Sequence, residues 1–229
     1  MLAVISLAGC VGVSSFGGHN VEARIHHALP AAGVRYVNVE NVSGSIVIDG
    51  WNHSGVDVSA LEYGSDQGAL DRTHVSIGQN GSTVFVKTTY DSGGGFFFGH
   101  NGAQVDYTIH VPATASISVS NVSGPTTLKG LDGNLDVSEI SGALDASLGR
   151  VAGTRNIHMS AISGHMTVRI ARNSDARVDA STISGDVNLF FPSDTHQGSV
   201  GNAATGQLGK GAASMTLKTI SGAIDVLPK

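Results

Sequence analysis

Cysteine, aromatic side chains and charge are all scarce in this chain of 229 residues, and each scarcity excludes a class of structure or function. Cys10 is the only cysteine, so the chain can form neither an internal disulfide nor a cysteine-based zinc site. Charged residues make up 14% of the chain, the net charge is −5, and no basic run lies beside aromatic residues, which argues against nucleic acid as a partner. Beyond the N-terminus, no segment approaches the roughly 18 unbroken apolar residues of a membrane helix.

The chain begins with a short apolar run, MLAVISLAGCVG, that has the character of an export signal. Leu7-Ala8-Gly9-Cys10 resembles the lipobox of bacterial lipoproteins, in which cleavage precedes the cysteine and a lipid is attached to its thiol. No Lys or Arg precedes the run, which leaves a truncated start, an ordinary signal peptide or a buried strand as alternatives. We predict a signal peptide over 1–9, a lipid anchor at Cys10, a flexible tether over 10–33 and one folded domain over 34–229.

Glycine, by contrast, is abundant at 31 residues, and much of it belongs to an internal repeat. Positions 1, 3, 6, 10 and 12 of the repeat are apolar almost throughout, and Ser-Gly occupies positions 7 and 8 in every copy. A catalytic serine occurs once, whereas a structural serine can recur, so Ser184 in STISGDVNLFF is predicted to be structural and no catalytic residue is assigned. The six copies are VNVENVSGSIVI (37–48), ISVSNVSGPTTL (117–128), LDVSEISGALDA (135–146), IHMSAISGHMTV (157–168), VDASTISGDVNL (178–189) and MTLKTISGAIDV (215–226).

The spacing of apolar positions predicts a strand, a corner and a second strand in each copy. Positions 1 and 3 alternate, as do positions 10 and 12, which is the period of a strand with one buried face. The apolar residue at position 6, such as Ile183, breaks this alternation, and we expect it to point inward with a bend close by. Glycine at position 8 can supply that bend because it adopts positive φ without a steric penalty. The predicted corners are Gly44, Gly124, Gly142, Gly164, Gly185 and Gly222.

Stacked copies can bury an apolar face that one copy cannot, with parallel strands about 4.8 Å apart. Copies two to five begin at residues 117, 135, 157 and 178, a spacing that suits one coil each. We therefore predict an all-β fold, a right-handed β-helix-like solenoid with a partly antiparallel N-terminal section. Within 49–116, Asn80-Gly81 predicts a hairpin and 66–72 a helical turn. The polar segment 192–213 is predicted to be a surface loop.

Outward acids raise the question of an enzyme, because glycan-cleaving β-helix enzymes cluster carboxylates on one face. Asp136 and Asp179 share position 2 of the repeat, and Asp145 and Asp225 share position 11. A regular stack would separate the first pair by about 10 Å, which is wide for an acid and base acting together. The ten histidines form no metal-binding motif, although one corner could bring His158 and His165 close together. We predict no metal site and no cofactor.

The segment DSGGGFFFGHNG (91–102) is the strongest candidate for partner contact in the sequence. Successive residues of a strand point to opposite faces, so Phe96, Phe97 and Phe98 cannot all be buried unless the loop curls. An exposed phenylalanine could contact a partner, a lipid surface or a glycan. We assign Phe96, Phe97, Phe98 and His100 as partner-contact candidates.

The repeated [V/I]-S-G-x-[I/V/L] units, the lead-in VDYTIHVPATASISVSNVSG and the late unit TISGDVNLFFP resemble the bacterial putative-adhesin β-helix family. The resemblance covers roughly residues 34–228 and implies a domain of unknown function on exported, envelope-associated proteins, with no catalytic residues. It implies a non-enzymatic adhesin-like binding or scaffolding module for a glycan or protein ligand. The lipobox resemblance adds a lipid that would hold this module at the cell envelope, at the outer membrane. A regulatory envelope-stress domain that contacts membrane partners and a polysaccharide-acting enzyme are the alternatives. The oligomeric state is left open.

Overall fold

The computed structural model describes residues 12–15, 21–29, 33–91, 102–197 and 201–229, with the side chains of 12–15 and 195–197 excepted. These residues form two ten-stranded sheets and one short helix, α1 (Gln67–Asp71). In this part of the chain no helix is long and apolar enough to cross a membrane. The all-β, solenoid-like fold expected from the repeat is confirmed, and the right-handed sense of the coil stays a prediction.

The two sheets face each other across one apolar core. The strands of sheet 1 are β1 (Gly12–Ser15), β2 (Val21–Leu29), β4 (Ile46–Trp51), β5 (Val56–Gly64), β8 (Gln104–Pro112), β10 (Thr126–Lys129), β12 (Leu144–Gly149), β14 (Met166–Ile170), β16 (Val187–Leu189) and β20 (Ile224–Pro228). The strands of sheet 2 are β3 (Tyr36–Ser43), β6 (Thr73–Asn80), β7 (Thr83–Tyr90), β9 (Ser116–Ser123), β11 (Leu135–Ser141), β13 (Asn156–Ser163), β15 (Ala176–Ser184), β17 (Ser193–Gln197), β18 (Asn202–Leu208) and β19 (Ala213–Ser221).

Each copy of the repeat contributes its first strand to sheet 2 and its second strand to sheet 1. Neighbouring copies pair in parallel and in register, so equivalent repeat positions form columns that run across the strands. Position 1 shows this directly, because its members are buried one beside the next in the order Val37, Ile117, Leu135, Ile157, Met215 and Val178. The core is therefore a set of side-chain columns between the two sheets.

The spatial order of the copies differs from their order in the chain. Sheet 2 runs β3-β9-β11-β13-β19-β15, so the sixth copy lies between the fourth and the fifth. The chain reaches this place through 192–213, which was predicted to be a surface loop; that prediction is wrong. Strands β17 and β18 form an antiparallel pair there, and β18 pairs with β15. Strand β18 buries one small side chain, Ala204, and so needs little hydrophobic sequence, which is why its polar composition did not predict a strand.

Antiparallel strands complete both sheets at the N-terminal end. In sheet 1, β8 pairs in parallel with β4 and antiparallel with β5, and β5 pairs antiparallel with β2 over nine residues. Val21–Leu29, which the sequence analysis placed in a flexible tether, is therefore part of a sheet. In sheet 2, β6 and β7 form the hairpin predicted at Asn80-Gly81. The predicted helical turn is α1, whose N-cap Asp66 accepts a hydrogen bond from the backbone of Ala69 at 2.8 Å.

Position 6 of the repeat does not point inward, which corrects the phase assigned to each copy. Alternation continues from positions 1 and 3 to position 5, so position 5 is buried, and the change of phase falls between positions 5 and 10. Ile183 is consequently 54% exposed, whereas Thr182 beside it is buried. The polar residue at position 5 can face inward because the corner offers it hydrogen-bond partners.

A column of polar side chains at position 5 lines the interior of the corners. Asn121 donates to the carbonyl oxygens of Gly124 at 3.0 Å and Gly44 at 3.3 Å, and Thr182 donates to that of Gly222 at 3.1 Å. Each of these oxygens belongs to a corner glycine, where the bent backbone has left the regular strand. Asn41, Asn121 and Thr182 thereby satisfy buried backbone acceptors that would otherwise cost stability. The buried residues of the column are Asn41, Asn121, Glu139, Ala161, Thr219 and Thr182, of which only Ala161 is apolar.

All six predicted corner glycines lie between the two strands of their copy, with φ between +122° and +159°. Gly185 has φ +136°, and a Cβ there would overlap the carbonyl oxygen of Gly222 in the adjacent copy. The corners stack so closely that five of the six glycine amides, all but that of Gly185, donate to a serine carbonyl of a neighbouring copy, as Gly222 does to Ser184 at 2.8 Å. Both the backbone conformation and the space therefore require glycine.

Replacing a corner glycine should cost more stability than replacing a turn glycine. We expect Gly185→Ala to lower the free energy of unfolding by about 2–4 kcal/mol, because it adds backbone strain to a clash with neighbouring backbone. Gly81 in the hairpin also has positive φ, at +59°, but has open space around it, so Gly81→Ala should cost only about 1 kcal/mol. Urea unfolding followed by circular dichroism measures both, and equal costs would contradict the packed corner.

Glu139 makes the stability of the fold depend on pH. Burial raises the pKa of this carboxyl to about 7, against the opposing effect of hydrogen bonds from Thr126 and Asn121. Thr126 donates to Oε2 at 2.7 Å, while Oε1 has no partner among the described residues. The unfolded chain releases this proton near pH 4.5, whereas the folded chain holds it until about pH 7. The free energy of unfolding therefore falls as the pH rises from about 4.5 to about 7, and it is constant above that range.

Glu139→Gln should remove this pH dependence, since the amide keeps the shape of the carboxyl without its charge. Between pH 4.5 and pH 8 we expect the wild type to lose about 2 kcal/mol of unfolding free energy relative to the variant. Urea titrations at several pH values measure the difference. Glu40→Gln, on the exposed outer face, should follow the wild type, and an identical profile for Glu139→Gln would contradict a buried protonated carboxyl.

Candidate binding surface

The position-6 side chains form a row of exposed aliphatic groups on the outer face of sheet 2, which we call the isoleucine ladder. Ile140, Ile162 and Ile220 are 46–48% exposed, and the pairs that flank them in neighbouring strands are in register. Adjacent strands lie about 4.8 Å apart, so the six side chains form a single file roughly 24 Å long. In spatial order the ladder is Val42, Val122, Ile140, Ile162, Ile220 and Ile183.

The part of the ladder on β11, β13, β19 and β15 forms the floor of an open groove of about 650 Å³. One wall is the start of β18, where Gly201, Asn202 and Ala203 lie against the corner of β15. Asn202 ties this wall in place by donating its side-chain amide to the carbonyl oxygen of Gly185 at 2.7 Å. The groove exists because the sixth copy and β18 meet the fifth copy at this end of the sheet.

A second column of side chains, at position 4, runs along the groove beside the ladder. Ser160 and Ser181 flank Lys218, each paired with it in register across neighbouring strands. Lys218 is exposed and makes no ion pair with any described residue. The groove thus combines an aliphatic floor with hydroxyl groups and one ammonium group. The position-4 column contains Glu40, Ser120, Ser138, Ser160, Lys218 and Ser181.

Sequence reasoning missed this surface because it assigned the aliphatic residue at position 6 to the core. The signal that could have revealed it is position 5, which carries Asn41, Asn121 and Glu139 in three copies. Reading these polar residues as inward-facing would have kept the alternation intact through the first strand. An apolar residue at position 6 then has to face solvent.

The outward acids do not form a catalytic pair. Asp136 on β11 and Asp179 on β15 are three strands apart, since the sixth copy lies between the fourth and fifth. Asp145 accepts two hydrogen bonds from Arg169 at 2.8 Å, and Asp225 lies 3.0 Å from the imidazole of His165. Asp145 thus forms an ion pair with Arg169 on the neighbouring strand, and Asp225 is within hydrogen-bond distance of an imidazole in the adjacent corner.

Of the other site residues predicted from the sequence, some lie among the described residues and some lie outside them. Ser184 lies at the end of β15, where its carbonyl accepts the amide of Gly222 and its hydroxyl is not bonded to any described base. No group of three or more metal-ligating side chains occurs among the residues that the structure describes. Cys10, Phe96, Phe97, Phe98 and His100 lie outside these residues.

A second cavity, of about 430 Å³, lies at the N-terminal end of sheet 1 and is lined by Trp51. The indole stacks on His110 with the ring centroids 5.3 Å apart, and its Nε1 donates to the carbonyl oxygen of Gly55 at 3.0 Å. Asp57 at the rim is paired with His26 at 2.9 Å. The indole N–H and the carboxylate of Asp57 are thus already bonded to neighbouring groups, unlike the ammonium group of Lys218 in the groove.

Comparison with one solved structure supports the same fold. A chain from Clostridium sporogenes ATCC 15579, described as a "putative cell adhesion protein", superimposes with a TM-score of 0.59 at 12% identity, over 90% of this chain and 100% of that one. A "putative adhesin" from Bacteroides fragilis NCTC 9343 is 13% identical over 89% of this chain and 97% of its own, with a TM-score of 0.28. A search of curated proteins found no match.

The sequence also matches a family model, that of Toastrack DUF4097, over residues 29–227. The match begins at the last residue of β2 and ends inside β20, so it takes in every copy of the strand-corner-strand repeat. The chain therefore belongs to the Toastrack DUF4097 family.

Proposed function

We propose that this protein is a non-enzymatic, adhesin-like binding module displayed at the cell envelope, and that the outer face of sheet 2 contacts its ligand. The observation that carries the proposal is the isoleucine ladder, a continuous row of half-exposed aliphatic side chains along one face. Continuous exposed apolar surface is costly in a folded protein and marks sites of interaction.

The architecture suits binding better than chemistry. The ladder lies on parallel strands whose register is fixed by six stacked corners, so the surface is rigid before a ligand arrives. Glu139, which is buried, is the only acid among the described residues that line the groove, and the paired acids Asp145 and Asp225 lie on sheet 1. A rigid apolar floor with polar borders recognises ligands through shape and burial.

Display at the envelope rests on the sequence of the N-terminus and on the adhesion-related descriptions of structural relatives. An acyl group on Cys10 would hold the domain at a membrane, and β2 would follow it after about ten residues. Sheet 2 carries the ladder, whereas β1 and β2 belong to sheet 1. The lipid would thus be linked to the domain through sheet 1, whereas the ladder lies on sheet 2. A domain anchored in this way could keep the ladder free for a ligand.

The first test measures binding to envelope membranes of the producing bacterium, with the full chain carrying Cys10→Ala so that no lipid contributes. We expect the double variant Ile162→Ser, Ile220→Ser to bind about tenfold more weakly, because two half-exposed aliphatic groups no longer contact the ligand. Leu227→Ser, which removes a similarly exposed side chain from the outer face of sheet 1, is the matched control. Equal binding by the double variant and the control would refute the ladder as the contact surface.

The lipid anchor is tested separately by metabolic labelling with a radioactive fatty acid. The wild-type chain should incorporate label and move with membranes, whereas Cys10→Ala should do neither because it lacks the acylated thiol. Serine at another exposed position, as in Leu227→Ser, should leave labelling unchanged. Label that persists in Cys10→Ala would overturn the assignment of Cys10.

A further inference from the structure

The isoleucine ladder has the dimensions of a single hydrocarbon chain rather than of a protein interface. From Ile220 on β19 to Val42 on β3 it crosses four strand spacings, roughly 19 Å. One leaflet of a bilayer, half of the hydrocarbon core, is about 15 Å thick. The ladder is therefore long enough for one extended acyl chain.

The width of the ladder also favours a single hydrocarbon chain as the ligand. The ladder is one side chain wide, with the position-4 column on one side and the corner serines at position 7 on the other. A stable protein interface buries about 800 Å² on each partner, and six half-exposed side chains in single file supply a small part of that. A narrow ligand could make all of its apolar contacts with the ladder, whereas a protein partner would contact mostly the hydroxyl groups on either side of it.

The single exposed positive charge in the groove favours a ligand with a negatively charged group. Among the described residues that line it, Lys218 carries the only exposed charge, because Glu139 is buried beneath the sheet with 1% exposure. Ser181 lies beside Lys218 on one neighbouring strand, and Ser160, whose hydroxyl donates to the carbonyl oxygen of Val137 at 3.3 Å, lies on the other. The ammonium group of Lys218, with the hydroxyl of Ser181 beside it, matches a carboxylate or phosphate oxygen.

We propose that the groove binds a single-chain anionic amphiphile, with its head group at Lys218 and its hydrocarbon chain along the ladder from Ile220 towards Val42. This inference rests on the proposed function, since it names the ligand class for the same face of sheet 2. The head group would lie on β19, one strand away from β15, against which β18 forms the wall, and the chain would extend across β13, β11 and β9 towards β3.

The probe is dodecanoate, used below its micelle concentration with the full Cys10→Ala chain. Displacement of the fluorescent acid 11-(dansylamino)undecanoate reports its binding, and dodecan-1-ol, which has the same chain without charge, is the comparison ligand. Dodecyl phosphate distinguishes a preference for carboxylate from one for phosphate. We expect dodecanoate to bind at micromolar concentration and more tightly than the alcohol.

Variants separate the head group from the chain. Lys218→Met should weaken dodecanoate about tenfold and leave the alcohol unchanged, because only the charged head group loses its partner. Ile162→Asn should weaken both ligands to a similar degree. Lys129→Met and Leu227→Asn, exposed on the outer face of sheet 1, should change neither. Thermal unfolding by circular dichroism identifies any variant whose fold has changed.

Three outcomes would overturn the proposal. The first is a wild-type chain that binds no dodecanoate at millimolar concentration, and the second is a Lys218→Met variant that weakens acid and alcohol equally. The third is a concentration-dependent dimer in sedimentation experiments that dissociates in Ile162→Asn, which would assign the ladder to a second copy. If envelope binding still depends on Ile162 and Ile220 while dodecanoate fails, the ligand class is wrong and the proposed function stands.

Discussion

The fold depends on one constraint, the bend of the backbone at a glycine stacked against the same bend in the next copy. At each corner the chain has positive φ and lies so close to its neighbour that a side chain would meet a carbonyl group. The bend carries the chain from sheet 2 to sheet 1 and so determines where the core lies. It also leaves backbone carbonyl oxygens directed at the interior, which have to be satisfied there.

Polar side chains at position 5 donate hydrogen bonds to those oxygens, and the exposed ladder is a consequence of their inward orientation. If the side chain at position 5 faces inward to reach a glycine carbonyl, as Asn121 does, then position 6 has to face outward. The aliphatic surface is therefore coupled to the way the corners are satisfied. A domain of this kind presents a row of apolar groups at the cost of one polar column inside, and Glu139 makes that column sensitive to pH.

Parts of this organisation were accessible from the sequence because they depend on local pattern. The six corners, the hairpin at Asn80-Gly81, the helix at 67–71 and the all-β fold follow from glycine placement and from alternation over a few residues. Ile183 was wrongly predicted to point inward because an apolar residue was assumed to be buried. The buried residue at this place is its neighbour Thr182, whose polar side chain does not identify it as part of the interior. Strands β17 and β18 were missed because most of their residues are small or polar, and β18 buries only one side chain, that of Ala204.

The sequence by itself determined the repeat, the corners and the two strands of each copy, since a glycine bend between alternating segments is a local property of the chain. The tertiary structure alone decided the order of the copies, because pairing between parallel strands with the same pattern is equally favourable in several orders. Insertion of the sixth copy beside the fourth places Lys218 between Ser160 and Ser181, and it brings β18 against the fifth copy as a wall. The candidate site is thus built from pairings between distant segments, which no local pattern specifies.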